Sequence, residues 1–126
     1  MSNSRQTKYC RAVHEALRRL DIATNADILL HVRKEFPAVS ATTVHRVTAR
    51  LCAAGDIGCA PPAKNGAVRY DTYPGENAYF SCSGCYRVKR LDGGRLADML
   101  KSQLEGCSVS GQLIVSGICK ICKEKK

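Results

Sequence analysis

Cys82-Ser83-Gly84-Cys85 and Cys119-Lys120-Ile121-Cys122 are two CxxC motifs near the C-terminus, separated by residues 86–118. Thiolate pairs with this internal spacing are typical of a structural zinc site, in which four cysteines complete a tetrahedral coordination shell. A site with four protein ligands leaves no open position for water or substrate, so it serves structure rather than catalysis. The sequence therefore predicts one structural Zn²⁺ per chain, held by Cys82, Cys85, Cys119 and Cys122.

The cysteine content, eight in 126 residues, has other interpretations that must be weighed. A secreted disulfide framework is disfavoured because residues 1–9 are polar and lack the apolar segment of a signal peptide. No apolar run approaches the roughly 20 residues needed to cross a bilayer. We therefore expect a cytoplasmic protein without membrane association, in which a redox dithiol pair is the alternative to zinc at the CxxC motifs.

The chain is strongly basic, with 20 lysine and arginine residues against 11 acidic ones and a net charge of +9. Such a charge fits a polyanionic partner, most simply nucleic acid, although a basic protein without that partner has the same composition. The sequence contains no nucleophile–base motif, phosphate-cradling loop or paired carboxylates. We therefore expect the protein not to be an enzyme, and a thiol oxidoreductase acting through its CxxC motifs is the enzymatic alternative.

The N-terminal half predicts three helices and a β-hairpin, which is the element order of a winged helix. Apolar residues recur at helical spacing in three segments, 5–20, 25–36 and 41–54. Ser40 is a suitable N-cap for the third helix, and Gly55 is a suitable stop. Two short strands, 56–60 and 67–72, flank a turn that contains Asn65-Gly66.

The third predicted helix carries short hydroxyls and long cations, which suit base-edge readout and phosphate contact. Its outward side is expected to present Thr42, Thr43, His45, Arg46, Thr48 and Arg50. Exposed arginines four residues apart are ordinarily only solvated. Arg46 and Arg50, however, lie on a capped helix that precedes a basic hairpin, and this position favours DNA contact. We therefore expect residues 1–73 to form a winged-helix DNA-binding domain. The side chains expected to contact double-stranded DNA are Thr42, Thr43, His45, Arg46, Arg50, Lys64 and Arg69.

The remainder of the chain, 74–126, follows a Tyr73-Pro74-Gly75 hinge and predicts a smaller α/β domain. Its pattern is strand, strand, helix, strand, in the segments 79–82, 86–91, 94–105 and 112–118. The Leu113-Ile114-Val115 run is typical of a strand buried on both faces, and Met99 falls on the predicted buried side of the helix. Three strands and one helix are too few to bury these residues, so we expect a second copy to cover them. The predicted fold is α+β: a winged helix-turn-helix domain followed by a small α/β dimerisation domain with a structural zinc site.

Four of these segments together resemble the ferric uptake regulator (Fur) family. Residues 36–46 and 51–57 are similar to the family's recognition-helix motif. Residues 80–85 and 117–122 resemble its two structural-zinc motifs, and the likeness runs over about 15–122 in the family's order. The resemblance implies a homodimeric transcription regulator, a repressor, with a winged-helix DNA-binding domain and a C-terminal dimerisation domain.

The chain departs from the family where the family binds its regulatory metal. The sensory histidine positions correspond to Asn77, Tyr79 and Gly111, and the acidic position corresponds to Arg90. These side chains cannot reproduce a histidine and carboxylate shell, and a cation at Arg90 would repel a divalent metal ion. His45 stands where the family usually has a tyrosine that faces DNA. The expectation is therefore a regulator without the usual metal-sensing site.

Two alternatives for the whole chain stay open at the level of sequence. A zinc-stabilised module that docks another protein would contain the same elements. A redox-responsive regulator would use the four cysteines outside the CxxC motifs, although a buried cysteine that acts as a small hydrophobe is commoner. These four are Cys10, Cys52, Cys59 and Cys107.

Overall fold

A computed structural model of the chain describes residues 4–75 and 77–125, with side chains described from Lys8 onward. The chain divides into two compact units, Met1–Gly75 and Glu76–Lys126, so the boundary follows the Tyr73-Pro74-Gly75 segment. Each unit combines helices with one small sheet, which confirms the predicted α+β class. Within the described ranges, no helix has both the length and the apolar character that a bilayer crossing requires.

The first unit contains three helices and a three-stranded sheet. Its elements are α1 (Ser4–Leu20), β1 (Ile22–Thr24), α2 (Asn25–Val32), α3 (Ala41–Ala53), β2 (Gly58–Ala60) and β3 (Arg69–Asp71). The strands are antiparallel, in the order β1-β3-β2. Strand β1 was not predicted, because three residues are too few to show an alternating pattern. Because β1 also pairs with β3, the predicted hairpin is part of a three-stranded sheet. This pairing connects the hairpin to the segment between α1 and α2.

Capping residues set the helix boundaries in this unit. The Thr24 hydroxyl accepts the Asp27 N–H at 3.2 Å and the Asp27 carboxylate accepts the Thr24 N–H at 3.2 Å, which is a capping box at the start of α2. The Ser40 hydroxyl accepts the Thr43 N–H at 3.1 Å, so Ser40 caps α3 as predicted. Gly55 follows α3 with φ of +79°, a conformation that glycine adopts without strain. Helix α2 ends before the predicted position 36, because the backbone tightens into three-residue turns after Val32.

The inward faces of the three helices form the core of the first unit. The core side chains are at most 7% exposed and include Val13, Leu17, Ile28, Val32, Val44, Val47, Leu51 and Ile57. Helical spacing identified the core face of each helix correctly, but the expected outward position of Thr48 was wrong. Thr48 is fully buried, and its hydroxyl donates a hydrogen bond to Oδ1 of Asn25 at 2.8 Å. Burial of the hydroxyl is tolerated because α2 supplies this polar partner.

The second unit combines a three-stranded sheet with two helices. Its elements are β4 (Ala78–Cys82), β5 (Val88–Leu91), α4 (Gly93–Leu104), β6 (Leu113–Gly117) and α5 (Lys120–Glu124). Strand β4 is central; it is antiparallel to β5 and parallel to β6. Asp92 caps α4, since its carboxylate accepts the Arg95 N–H at 3.1 Å. Helix α5 was not predicted because five residues are too few to show a helical period.

Much of the apolar surface of the second unit is exposed. Ile114 and Val115 of β6 are 48% and 44% exposed, so the expected burial of this strand on both faces is wrong for the single chain. Met99, expected on the buried side of α4, is 75% exposed. Strand β6 lies at the edge of the sheet, and the other elements of the unit are too few to cover it.

Candidate metal centre and nucleic-acid interface

The parallel pairing of β4 and β6 brings the two CxxC motifs together. Cys82 at the end of β4 lies in register with Gly117 at the end of β6, and each strand leads directly into its motif. Ser83 joins the two ends: its N–H and its hydroxyl both donate to the Gly117 carbonyl oxygen, at 2.8 Å and 3.1 Å. Because the carboxyl ends of parallel strands lie at the same edge of a sheet, cysteines far apart in sequence meet there.

The four sulfur atoms of these motifs form a compact cluster. The Sγ atoms of Cys82 and Cys122 are 3.7 Å apart, and those of Cys85 and Cys119 are also 3.7 Å apart. All four sulfurs lie within 4.8 Å of one another. Tetrahedral coordination with Zn–S bonds of about 2.3 Å places sulfurs about 3.8 Å apart. The cluster therefore fits a four-coordinate metal ion, and its members are the four cysteines named from the sequence.

Backbone N–H groups surround the sulfur of Cys82. The N–H groups of Cys119, Gly84 and Cys85 point at it from 3.3 Å, 3.4 Å and 3.5 Å. Those of Cys119, Cys85 and Gly84 lower the pKa of Cys82 to about 6, because they stabilise the thiolate. A Cβ atom at Gly84 would lie 3.1 Å from the Sγ of Cys122, so a larger residue in this turn would crowd the cluster.

The opposite effect is found at Cys122. Hydrogen bonds with the sulfurs of Cys119, Cys82 and Cys85 raise the pKa of Cys122 to about 12. Four adjacent sulfurs cannot all be anionic unless a cation lies between them. The metal-free cluster therefore retains a proton on Cys122 at neutral pH, and an entering metal ion must displace it.

Metal affinity of the cluster is expected to rise with pH. The thiol of Cys122 stays protonated up to about pH 12 without metal, so binding releases its proton across the neutral range. We expect at least about a tenfold gain in affinity per pH unit between about pH 6 and pH 8, and a steeper loss below about pH 6, where Cys82 also takes up a proton. Competitive Zn²⁺ titration against a chromophoric chelator measures this, and Cys107→Ser is the control because that thiol lies outside the cluster. An affinity that does not vary with pH would contradict the assignment.

Helix α3 carries most of the residues predicted to contact DNA. Thr42, His45, Arg46 and Arg50 are exposed along it. Thr43 is half-buried, and its hydroxyl lies 3.0 Å from that of Ser40, so it belongs to the helix cap. Thr42, His45 and Arg46 line one shallow depression together with Ala41 and Ala49.

The two predicted residues of the hairpin differ in their surroundings. Lys64 is exposed in the loop 61–68 between β2 and β3, where the Ala63 N–H donates to the Ala67 carbonyl at 3.0 Å. Arg69 is half-buried in β3, opposite Ala60 of β2 and Thr24 of β1. The predicted turn at Asn65-Gly66 lies within this loop, but the strands are shorter than predicted. Lys64 is therefore a loop residue, whereas Arg69 is part of the sheet.

Asn25, a residue that sequence reasoning missed, orients His45. The Asn25 amide nitrogen lies 3.2 Å from Nδ1 of His45, while the amide oxygen accepts the hydrogen bond of the buried Thr48 hydroxyl. The Asn25 amide therefore lies between the Thr48 hydroxyl and the Nδ1 atom of His45, and it orients the imidazole ring. Asn25 is the first residue of α2, and no periodicity in the sequence links it to α3.

The positions that correspond to sensory ligands in the Fur family form a different arrangement. The Asn77 amide donates to the hydroxyl of Tyr79 at 3.3 Å, and Tyr79 is fully buried. Tyr79 on β4 lies opposite Arg90 on β5. Among the side chains of residues 8–75 and 77–125, the four-cysteine cluster is the one group of three or more potential ligands close enough to hold a metal ion.

Comparison with known proteins identifies the fold. No protein-family sequence model matches the chain, and no curated protein sequence matches it. The ferric uptake regulator of Helicobacter pylori matches with a TM-score of 0.79 at 17% identity, over 100% of this chain and 85% of that one. The peroxide stress regulator of Campylobacter jejuni matches with a TM-score of 0.67 at 20% identity, over 92% of this chain and 90% of that one. A zinc uptake regulator in complex with zinc and DNA matches with a TM-score of 0.54 at 20% identity, over 89% and 79% of the two chains. The fold implied by the sequence resemblance is confirmed.

Proposed function

We propose that this chain is a DNA-binding transcription regulator of the Fur family, a homodimeric repressor stabilised by one structural Zn²⁺ per protomer. The observation that supports this most is the tetrahedral cluster of Cys82, Cys85, Cys119 and Cys122, in a chain that shares the Fur fold over its full length. Residues 1–73 are then the DNA-binding domain and residues 74–126 the dimerisation domain.

Zinc is the metal that the donor set fits best. Four thiolates at tetrahedral spacing suit Zn²⁺ or an iron–sulfur centre, and the sulfur spacing near 3.7 Å fits a single ion. Zinc with four thiolates carries a formal charge of −2. Lys120 lies within the second motif and Lys123 directly follows it, so both cations are close in sequence to the ligands and can offset this negative charge. Zinc held in this way would join β4 to β6 and have no catalytic role.

Helix α3 is proposed to enter the major groove of double-stranded DNA. Arg46 and Arg50 supply the cations for base edges and phosphates, and Lys64 extends the contact from the wing loop. His45, held by Asn25, directs its ring outward from α3, and with a proton on Nε2 it suits guanine O6 or N7, or thymine O4. Beside it, Ala41 and Ala49 make an apolar surface that fits a thymine methyl group. Thr42 and Thr43 add contacts near the start of the helix, and Arg69 one from the sheet.

The second copy is proposed to cover the exposed apolar surface of the second unit. The exposed apolar side chains of this unit include Met99, Ile114, Val115, Ile118 and Ile121, each at least 42% exposed in the single chain. A twofold interface would bury the same surface on both protomers. The two α3 helices would then address the two half-sites of a near-palindromic operator.

Regulation is proposed not to use the metal-sensing site of the family. Asn77 and Tyr79 are hydrogen-bonded to each other, and Arg90 places a cation at the position of the acidic ligand. A divalent ion would meet repulsion rather than a carboxylate there. DNA binding is therefore expected to be independent of added iron.

Selection of bound DNA from a random pool, with and without divalent metals, tests this function. We expect enrichment of a near-palindrome, unchanged within about twofold by a mild iron chelator that leaves the tightly bound zinc in place. The His45→Ala variant is expected to lose preference at one base-pair position per half-site, a cost of about 1–3 kcal/mol. Loss of binding on mild chelation would reveal a second metal site and contradict the proposal.

The same experiment separates the proposal from a zinc-stabilised module that docks another protein. Such a module would bind DNA only weakly, with no sequence preference and with a steep loss of affinity as salt rises. No enriched sequence at physiological salt would therefore favour the docking module over the regulator.

A further inference from the structure

Cys52 and Cys59, two thiols outside the metal cluster, are in direct contact. Their Sγ atoms are 3.7 Å apart, which leaves no room for an atom between them. Cys52 lies in the last turn of α3, and Cys59 is the central residue of β2, opposite Tyr70 of β3. The pair therefore joins the proposed recognition helix to the first strand of the wing. Sequence placed one cysteine on each element but could not show that they touch.

Metal binding does not account for this pair, whose side chains pack against the edge of the core. Among the side chains of residues 8–75 and 77–125, no third cysteine, histidine or carboxylate joins Cys52 and Cys59 to make a metal site. Both cysteines lie at the edge of the core and are half-buried, so each retains access to solvent. Neither residue is fully buried, so a small oxidant can approach the pair, whereas a fully buried thiol would be protected.

We propose that Cys52 and Cys59 form a two-thiol oxidation site, which reacts with a peroxide and closes to an intramolecular disulfide between α3 and β2. The thiolate of Cys52 attacks one peroxide oxygen, so the O–O bond breaks and Cys52 becomes a sulfenic acid. The sulfur of Cys59 then attacks the sulfenic sulfur, the S–S bond forms, and the leaving hydroxide takes the proton of Cys59 and departs as water. With hydrogen peroxide, the two thiols lose two electrons and two protons, and the peroxide is reduced to two waters.

The assignment of the two roles follows from their surroundings. Burial and the adjacent sulfur of Cys52 raise the pKa of Cys59, so Cys59 stays a neutral thiol at physiological pH. A neutral thiol is a poor first nucleophile, but here it lies in contact with the sulfur it must attack. Reduction by a small dithiol would reverse the reaction through a mixed disulfide.

Closure of the disulfide requires a local movement. The sulfurs must approach from 3.7 Å to about 2.05 Å, and the segment between them contains Gly55 and Gly58, which lets the turn adjust. Because Cys52 lies on α3, the shift acts on the helix that carries Arg46 and Arg50. This consequence rests on the proposed DNA-binding function, whereas the formation of the disulfide does not.

Tryptic mass analysis of the oxidised full-length protein tests the site. Trypsin cleaves after Arg50 and after Lys64, which releases a peptide, 51–64, that contains both cysteines and no other cleavage point. After mild peroxide treatment, at a dose that leaves the bound zinc unchanged, we expect this peptide to be lighter by two hydrogen atoms and to resist thiol alkylation. Cys107→Ser should give the same product, while Cys52→Ser and Cys59→Ser should give none. A peptide 51–64 that stays reduced, or that is oxidised only to sulfinic acid or to cross-linked dimers, overturns the proposal.

Measurement of DNA affinity in the same samples tests whether the disulfide alters DNA binding by α3. We expect a loss of about tenfold on oxidation, full recovery with a dithiol reductant, and no change in Cys52→Ser under the same treatment. A disulfide that leaves affinity unchanged would overturn its regulatory role. If the reduced protein binds no specific DNA, the proposed function fails instead, and the mass of peptide 51–64 alone decides the oxidation site.

Discussion

Cys82→Ser is expected to unfold the second unit and to abolish the proposed dimerisation and specific DNA binding. The sulfur of Cys82 lies 3.7 Å from that of Cys122 and accepts three backbone N–H groups from both CxxC motifs. A serine hydroxyl is a poor zinc ligand, so the ion and the junction between β4 and β6 would be lost together.

Apart from the metal site, the second unit has little buried apolar surface to stabilise its fold. Within residues 77–125 the buried side chains are those of Ala78, Tyr79 and Cys82, whereas the first unit has a full core of its own. Structural zinc contributes about 10–16 kcal/mol to folding in zinc-finger peptides, comparable with or above the total stability of a typical domain, about 5–15 kcal/mol. Loss of the metal should therefore exceed what the remaining contacts supply.

Hydrogen exchange and size-exclusion chromatography measure this result. We expect amide protection to be lost in the second unit and retained in α1–α3, with a monomer in place of the dimer and a loss of DNA affinity above about a hundredfold. Cys107→Ser, which removes an exposed thiol outside the cluster, should match the unmodified protein. A Cys82→Ser protein that is metal-free yet still dimeric and protected would show that zinc does not hold this unit together.

Arg46→Ala is expected to lower DNA affinity strongly without an effect on folding. Arg46 is exposed on α3 and lines the same depression as His45 and Thr42, so its removal leaves the core of the first unit intact. An arginine that contacts base edges contributes about 1–3 kcal/mol per site. Two copies in a dimer give about 2–6 kcal/mol, an affinity loss between about thirtyfold and about 25,000-fold.

Fluorescence anisotropy with the selected operator measures this loss, and its salt dependence identifies the kind of contact. A base contact would weaken discrimination at one position, whereas a phosphate contact would weaken all sequences alike and lower the salt slope by about two per dimer. Lys101→Ala, which removes an exposed cation from α4, is the matched control, and both variants should keep the thermal midpoint of the parent protein. Affinity within about twofold of the parent would place Arg46 outside the DNA interface.

Features encoded by neighbouring residues were predicted well. The N-cap at Ser40, the helix stop at Gly55 and the inward face of α3 were confirmed, because each depends on contacts within one or two helical turns. The CxxC spacing likewise identified four sulfurs that the fold brings within 4.8 Å. Short elements such as β1 and α5 were missed, since a few residues carry no measurable period.

Features that join distant segments required the tertiary structure. The amide of Asn25 orients His45 while accepting a hydrogen bond from Thr48, the thiols of Cys52 and Cys59 touch across α3 and β2, and Ile114 is exposed on an edge strand. The sequence alone determined the longer helices, the N-cap at Ser40 and the four cysteines that could hold a metal ion, because local hydrogen bonds and ligand chemistry act over a few residues. Only the packing of elements decided which side chains meet across the fold, because parallel pairing of β4 with β6 and contact of α2 with α3 depend on the chain as a whole.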